Sequence, residues 1–159
     1  MLASAPPAGW LRLALKAPRW LYRFHLGRLL GHRFLLLTHR GRRSGRLYHT
    51  VLEVVRYDPA TNESVVVSGW GDRADWYMNI QADGALAIET GGERFIPTQR
   101  LLTPAEVYHA LRGYFHRNRW ATGIVRRLFG LRFDGTDDRT RIDDLRGVAF
   151  RPAGPHAGQ

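Results

Sequence analysis

Short apolar runs separated by turn residues dominate the chain, and they predict antiparallel strands rather than alternating strands and helices. The runs are rich in Val, Leu and Tyr, and Gly, Pro, Asn or Asp stands between them. The predicted strands are residues 34–39, 47–57, 64–68, 85–90, 94–102 and 147–151. Because few long helices lie between them, the pattern predicts an α+β fold, a small barrel of about six strands with helices packed around it.

One helix start is encoded locally. The stretch Thr103-Pro104-Ala105-Glu106 has the spacing of a capping box, with proline at the first helical position, and predicts a helix that runs to about Arg117. Helical spacing of apolar residues also predicts helices at 18–30, 74–82 and 121–129. The acidic segment 134–144 lacks the alternating acids and closing glutamate of a calcium loop, so we expect a solvated loop.

The 159 residues fit one domain with a sizeable core. We expect a loose segment at 1–17, a single domain at 18–151 and a tail at 152–159. The chain has no cysteine, which excludes disulfides, thiolate metal sites and a cysteine nucleophile. No apolar run reaches the length of a membrane helix, and basic residues interrupt any signal-peptide core, so the expected location is cytoplasmic.

The positive charge is concentrated in the N-terminal third. Residues 1–50 hold ten Lys or Arg and no acid, and the whole chain has a net charge of +10. A polyanionic partner is therefore expected: a phosphorylated cofactor, nucleic acid or an anionic membrane surface. Residues 10–30 mix Trp, Leu and Phe with Arg and could lie on a membrane, although a helix packed on the domain is the favoured interpretation.

The most informative motif is Gly41-Arg42-Arg43-Ser44-Gly45-Arg46, which lies between two predicted strands and is called the arginine turn below. Glycine permits a sharp turn that exposes backbone N–H groups, and the serine adds a hydroxyl. Arginine offers forked, charge-assisted hydrogen bonds to phosphate or carboxylate. The turn therefore predicts an anion-binding site.

Of three other patterns, two favour structural roles and the third leaves the role open. Gly69-x-Gly71-x-x-Ala74 follows a strand and opens a helix, as in a dinucleotide-binding fold, but the helix is short and the preceding elements are hairpins. Seven residues separate His25, His32 and His39 from one another, and the same spacing separates His109 from His116. Side chains that far apart on a helix cannot chelate one metal ion unaided. The aromatics of Asp75-Trp76-Tyr77-Met78-Asn79 could present a flat ring to a ligand or fill the core.

The sequence resembles the deazaflavin-dependent nitroreductase family, whose members use coenzyme F-420. The resemblance rests on three ordered blocks: residues 34–45 around the arginine turn, Val-Val-Val-Ser-Gly at 65–69, and Asp-Trp-Tyr-x-Asn-Ile at 75–80. It implies a split β-barrel similar to that of flavin-binding pyridoxamine-phosphate oxidases. It also implies hydride transfer from the reduced deazaflavin to a small acceptor, namely a quinone, a nitro compound or another electron-poor conjugated molecule.

The resemblance implies which residues contact the cofactor. The arginine turn would hold the phosphate and acidic tail, and the segments 67–69 and 75–79 would line the ring. The expected cofactor-binding residues are Thr38, Arg42, Arg43, Ser44, Gly45, Arg46, Val67, Ser68, Gly69, Asp75, Trp76, Tyr77 and Asn79. Tyr77 and Tyr114 are the candidate proton donors, and no metal is expected. The chain departs from the family at Gly69 and at residues 48–51, where a basic residue and Arg-x-x-Pro are common.

Two alternatives remain at this point. A basic small barrel could bind nucleic acid by pairing arginine with phosphate and stacking aromatics on bases. A split barrel could instead bind flavin mononucleotide or haem. The sequence is compatible with a monomer or a homodimer.

Overall fold

The computed structural model describes residues 26–118 and 145–154. This part of the chain forms one antiparallel sheet in the order β5-β4-β1-β2-β3-β7-β6. The strands are β1 (Phe34–Arg40), β2 (Leu47–Asp58), β3 (Glu63–Ser68), β4 (Ala85–Thr90), β5 (Glu93–Phe95), β6 (Pro97–Leu101) and β7 (Arg146–Pro152). The helices are α1 (Asp75–Asp83), α2 (Pro104–Arg117) and two 3-10 turns at Leu26–Leu30 and Gly71–Arg73.

Strand β2 bends the sheet toward a barrel because it belongs to both halves. Its first half pairs with β1, from Arg40 opposite Leu47 to Phe34 opposite Glu53, and its second half pairs with β3 beyond an irregularity near Val54. The two ends of the sheet meet through Gln99 of β6. Its side chain accepts from the backbone N–H of Ala85 at 2.8 Å and donates to the carbonyl of Ile80 at 2.9 Å.

The core has two parts, and each holds one helix against the sheet. One part packs α1 on β1, β4 and β7 through Leu35, Leu37, Ile80, Ile88 and Phe150. The other packs α2 on β2, β3 and β7 through Val65, Val107, Leu111, Phe115 and Ala149. Burying one large apolar side chain contributes about 1.5–3 kcal/mol of stability. These two contacts are therefore the main stabilisers of the helices.

The predicted α+β split barrel is confirmed, with seven strands in place of about six. The difference arises at residues 94–102, which form two strands instead of one: β5 pairs with β4, and β6 pairs with β7. The change of partner occurs around Ile96 and Pro97, and proline lacks the N–H that a continuous ladder requires.

The predicted helix at 104–117 is confirmed together with its capping box. The Thr103 hydroxyl accepts from the Glu106 backbone N–H at 3.3 Å, and the Glu106 carboxylate accepts from the Thr103 N–H at 2.8 Å.

Several predictions fall wholly or largely outside the described residues: the segment 1–17, most of the helix at 18–30, the helix at 121–129, the acidic loop and most of the tail. Within the described part, residues 26–30 form a 3-10 turn rather than an α-helix, and residue 152 ends β7 instead of beginning the tail. Across residues 26–118 and 145–154, no helix is both long and apolar enough to cross a membrane.

Candidate functional site

The arginine turn is a closed loop that requires glycine at two positions. Backbone N–H groups of Gly41 and Gly45 donate to the carbonyls of Arg46 and Gly41, both at 2.8 Å. Gly45 has φ +66°, in the left-handed region that favours glycine. A Cβ at residue 41 would lie 2.6 Å from the Ser44 hydroxyl and 2.7 Å from the Tyr48 ring. The backbone of the turn therefore depends on both glycines.

The three arginines of the turn differ in whether their guanidinium groups already have a partner among the described residues. The Arg42 guanidinium donates to the Asp75 carboxylate and to the Asn79 amide oxygen, both at 3.0 Å. Arg43 and Arg46 are exposed, and neither guanidinium has a hydrogen-bond or ion-pair partner within residues 26–118 and 145–154. An anion can thus reach these two arginines without displacing a partner from the part of the chain that the structure describes.

The Arg42–Asp75 pair is a surface ion pair, since the Asp75 carboxylate is 83% exposed. Such pairs contribute about 0–1 kcal/mol, so a multiply charged ligand can replace this carboxylate at small cost. Asn79 is different because its side chain is only 4% exposed. The fixed contact of Arg42 is therefore the one with Asn79.

A buried polar chain supports the turn from below. The Asn79 oxygen accepts from the backbone N–H of Arg42 at 3.1 Å as well as from its guanidinium. The Asn79 amide nitrogen lies 3.1 Å from Nδ1 of His39, and Nε2 of His39 lies 3.0 Å from the Thr50 hydroxyl. The chain therefore links helix α1, strand β1 and strand β2 to the arginine turn.

His39 and Thr50 were missed by the sequence prediction. A signal was present, because Leu35, Leu37 and His39 alternate on one face of β1, and the first two face the core. His39 is 2% exposed. Burial is the main cause that lowers its pKa, the nearby His49 adds to this effect, and Asp75 opposes it. The imidazole is thus disposed to stay neutral.

The expected cofactor-binding residues divide into two groups. Asp75 and Asn79 share the face of α1 that meets the turn, and Thr38 lies beneath the turn with its hydroxyl 3.1 Å from Nδ1 of His49. Trp76 and Tyr77 are 9% and 4% exposed and pack edge-on against each other in the core. Most of the surface of both rings is therefore buried, whereas Arg43 and Arg46 of the turn are exposed.

The third segment, residues 67–69, leads out of β3 toward α1. The Ser68 hydroxyl donates to the carbonyl of Gly71 at 2.8 Å, and this contact shapes the connection between strand and helix. Trp70 on this connection is 48% exposed. Because β3 lies in an antiparallel sheet, the glycines at 69 and 71 do not belong to a doubly wound dinucleotide-binding fold.

Tyr114 lies at the other end of the β1–β2 pair. Its hydroxyl donates to the Glu53 carboxylate at 2.5 Å. Burial and then this hydrogen bond raise its pKa above the ordinary value. Glu53 pairs with Phe34, six residues along β1 from Arg40, which corresponds to roughly 20 Å from the arginine turn. The structure therefore does not bring Tyr114 to the turn.

A cavity of about 160 Å³ opens at the Tyr114 end. It is lined by His32, Arg33, Val54, Val55, Arg56, Tyr57, Tyr114, Arg117 and Asn118.

His32 stacks on Tyr57 with ring centroids 3.8 Å apart, and His39 belongs to the polar chain, so both histidines have structural contacts. Residues 26–118 and 145–154 hold no cluster of three or more potential metal ligands.

Several solved structures are similar to this chain. A protein of unknown function from Agrobacterium tumefaciens is similar at 18% identity and a TM-score of 0.51, over 94% of this chain and 60% of that one. An F420-H2-dependent reductase is similar at 21% identity and a TM-score of 0.49, over 77% and 96%. A pyridoxamine 5'-phosphate oxidase-related, FMN-binding protein from Nostoc punctiforme is similar at 14% identity and 0.46, over 94% and 82%.

Comparison with protein families confirms the resemblance deduced from the motifs. No curated protein sequence matches the chain significantly. The family described as F420H(2)-dependent quinone reductase matches residues 11–123, which include the arginine turn and the segments at 67–69 and 75–79. This match favours a coenzyme F-420 enzyme over the nucleic-acid, flavin mononucleotide and haem alternatives. The match covers most of the chain, and the chain therefore belongs to this family of oxidoreductases, whose cofactor is coenzyme F-420.

Proposed function

We propose that this enzyme transfers a hydride from reduced coenzyme F-420 to a quinone, a nitro compound or another electron-poor conjugated acceptor. We further propose that the arginine turn binds the phosphate and glutamyl tail of the coenzyme. The observation that carries the second statement is the pair of exposed arginines, Arg43 and Arg46, which have no partner within the described residues. They stand beside the Ser44 hydroxyl and the anchored Arg42.

The donor set suits this tail. A phosphodiester and glutamyl carboxylates are acceptors only, and guanidinium and hydroxyl groups supply the charge-assisted bonds that such acceptors need. The absence of acids from residues 1–50 adds a favourable long-range field. When bound, the reduced coenzyme supplies the hydride, so the protein has to hold and orient its ligands and exclude water.

The position of the ring is part of the proposal. Residues 75–79 reach the turn through Asp75 and Asn79 of α1, which both contact Arg42, and residues 67–69 lead toward the start of α1. A ring placed against these segments would share one surface with a tail on the turn. For proton delivery the proposal names Tyr77 rather than Tyr114. The Tyr114 hydroxyl is already donated to Glu53, whereas the Tyr77 hydroxyl has no hydrogen-bond partner in the described residues.

The choice of acceptor is tested by anaerobic stopped-flow mixing of the reduced coenzyme and the full-length enzyme with menadione or a nitroaromatic compound. We expect the enzyme to oxidise the reduced coenzyme, and the increasing absorbance of the oxidised coenzyme measures this reaction. Menadione should be the faster acceptor. The matched control replaces the reduced coenzyme by NADPH, for which no reaction is expected. Failure of both acceptors to oxidise the bound coenzyme would overturn the proposed acceptor class.

The role of Tyr77 is tested by Tyr77→Phe, which removes only the hydroxyl. If that hydroxyl delivers a proton, the turnover number should fall about 10- to 100-fold while the KM for the coenzyme stays within a factor of about three. The matched control is Tyr114→Phe, for which we expect unchanged turnover and a loss of about 1–2 kcal/mol in the free energy of unfolding. Equal turnover in Tyr77→Phe and wild type would remove Tyr77 from the chemistry.

The Tyr114 control has a pH signature of its own. A tyrosine whose pKa is raised in the folded state contributes stability below its unfolded pKa of about 10, and this contribution is lost as the pH rises further. Tyr114→Phe should therefore flatten the alkaline limb of the stability curve, measured by urea unfolding from about pH 8 to about pH 11.

A further inference from the structure

The hydrogen bonds around Asn79 fix the tautomer of His39. The Asn79 oxygen accepts two bonds from Arg42, one from its backbone N–H and one from its guanidinium. The group that faces His39 must then be the Asn79 amide nitrogen, which is a donor. Nδ1 of His39 therefore accepts, and the ring proton lies on Nε2 and is donated to the Thr50 hydroxyl.

We propose that His39 and Asn79 act as a positioning pair that holds Arg42 toward the anionic tail of the coenzyme, and that the pair works only while His39 is neutral. The proposal deepens the proposed function of the arginine turn and rests on it. Neither His39 nor Asn79 needs to touch the coenzyme: both are almost fully buried and act through Arg42.

If His39 is protonated, the hydrogen bonds that join His39, Asn79 and Arg42 can no longer all be made. A proton on Nδ1 faces the amide hydrogens of Asn79, so two donors meet. Rotation of the Asn79 amide by half a turn would repair that contact but would point the amide hydrogens at the backbone N–H and the guanidinium of Arg42. In either case one buried contact becomes repulsive, and Arg42 loses its fixed partner.

The charged groups around His39 come from three elements. Strand β2 supplies His49 and the stacked ring of Tyr48, helix α1 supplies Asp75, and the turn supplies Arg42. On the β4 side the partners of Thr38 and His39 are Ala87 and Ala85, which carry no charge. Burial lowers the pKa of His39, so the unfolded chain binds more protons than the folded chain below about pH 6.5. Stability should therefore fall as the pH falls through this window.

The affinity for the coenzyme should fall in acid, whereas simple electrostatics predicts that it rises. Acid generally adds positive charge to a protein surface, which would strengthen the binding of an anion. The positioning pair predicts weaker binding instead, because Arg42 is released. The sign of the pH dependence thus distinguishes the two effects.

The tautomer is tested without any ligand on the full chain labelled with 15N in histidine. The His39 resonances should show a neutral imidazole protonated at Nε2 and a pKa below the ordinary histidine value of about 6.5. A neutral ring protonated at Nδ1 would overturn the proposal, as would a His39 pKa above about 6.5.

The effect on binding is tested with two matched substitutions and oxidised coenzyme F-420 in calorimetric titrations. His39→Asn keeps an acceptor near the place of Nδ1 and cannot be protonated, whereas His39→Gln keeps a group near Nε2 and loses that acceptor. Between about pH 7 and about pH 5, the wild-type affinity should fall about fivefold relative to that of His39→Asn. Because both proteins bind the same coenzyme, any titration of the ligand cancels in this ratio.

His39→Gln should bind about tenfold more weakly than wild type near pH 7 and should show little further loss in acid. Circular dichroism and urea unfolding report whether each variant is folded. An acid response shared by wild type and His39→Asn would overturn the proposal. Should the NMR result hold while Arg42 and Arg43 prove irrelevant to coenzyme binding, the proposed function fails and the polar chain is purely structural.

Discussion

Replacement of both Arg42 and Arg43 by alanine should weaken the binding of oxidised coenzyme F-420 at least about tenfold, a loss of about 1.4 kcal/mol or more. The reason is the removal of two charge-assisted donors from the arginine turn, one of them anchored by Asn79. Wild-type affinity should also fall with added salt, and the double variant should show a shallower salt dependence. Isothermal titration at two ionic strengths measures both effects.

The matched control removes the same charge elsewhere. Arg94 on β5 and Arg112 on α2 are exposed and lie on elements that do not form the turn. Arg94→Ala combined with Arg112→Ala should change the affinity by less than about threefold, since only the screened long-range field is altered. If the two double variants lose affinity equally, net charge rather than the arginine turn attracts the coenzyme, and the proposed site is wrong.

Replacement of Trp76 by alanine should lower the free energy of unfolding by about 3–5 kcal/mol, the range for deletion of a large aromatic side chain from a core. Trp76 is 9% exposed and packs with Tyr77 and Ile80 between α1 and the sheet. Urea unfolding followed by circular dichroism measures the loss. Any weakening of coenzyme binding should follow from the loosening of α1, which carries Asp75 and Asn79.

Trp70 provides the control for Trp76 because it is a tryptophan on the same connection but 48% exposed. Trp70→Ala should cost less than about 1 kcal/mol of stability. The expectation drawn from the motif, that Trp76 lines the ring of the cofactor, gives the contrary result. Trp76→Ala would then bind the coenzyme more weakly while its unfolding midpoint matched that of Trp70→Ala.

Local sequence signals account for the elements that the sequence predicted well. The capping box at Thr103–Glu106 contains within four residues every group that starts α2, so no distant contact was needed to recognise it. The short apolar run of β1 and the turn residues at its end likewise predicted the first hairpin. The split of residues 94–102 escaped prediction because β5 and β6 differ in their partners, and those partners lie elsewhere in the chain.

The sequence by itself determined the arginine turn and the cofactor family of the chain, because both depend on residue types at short spacing. The tertiary structure decided which residues serve the turn. Asn79 is 40 residues from His39 and 37 from Arg42, and Tyr114 is 61 residues from Glu53. Such contacts depend on strand register and on the packing of α1 and α2. A one-residue shift of register turns every side chain of a strand to its other face, so composition and spacing alone leave these partners undetermined.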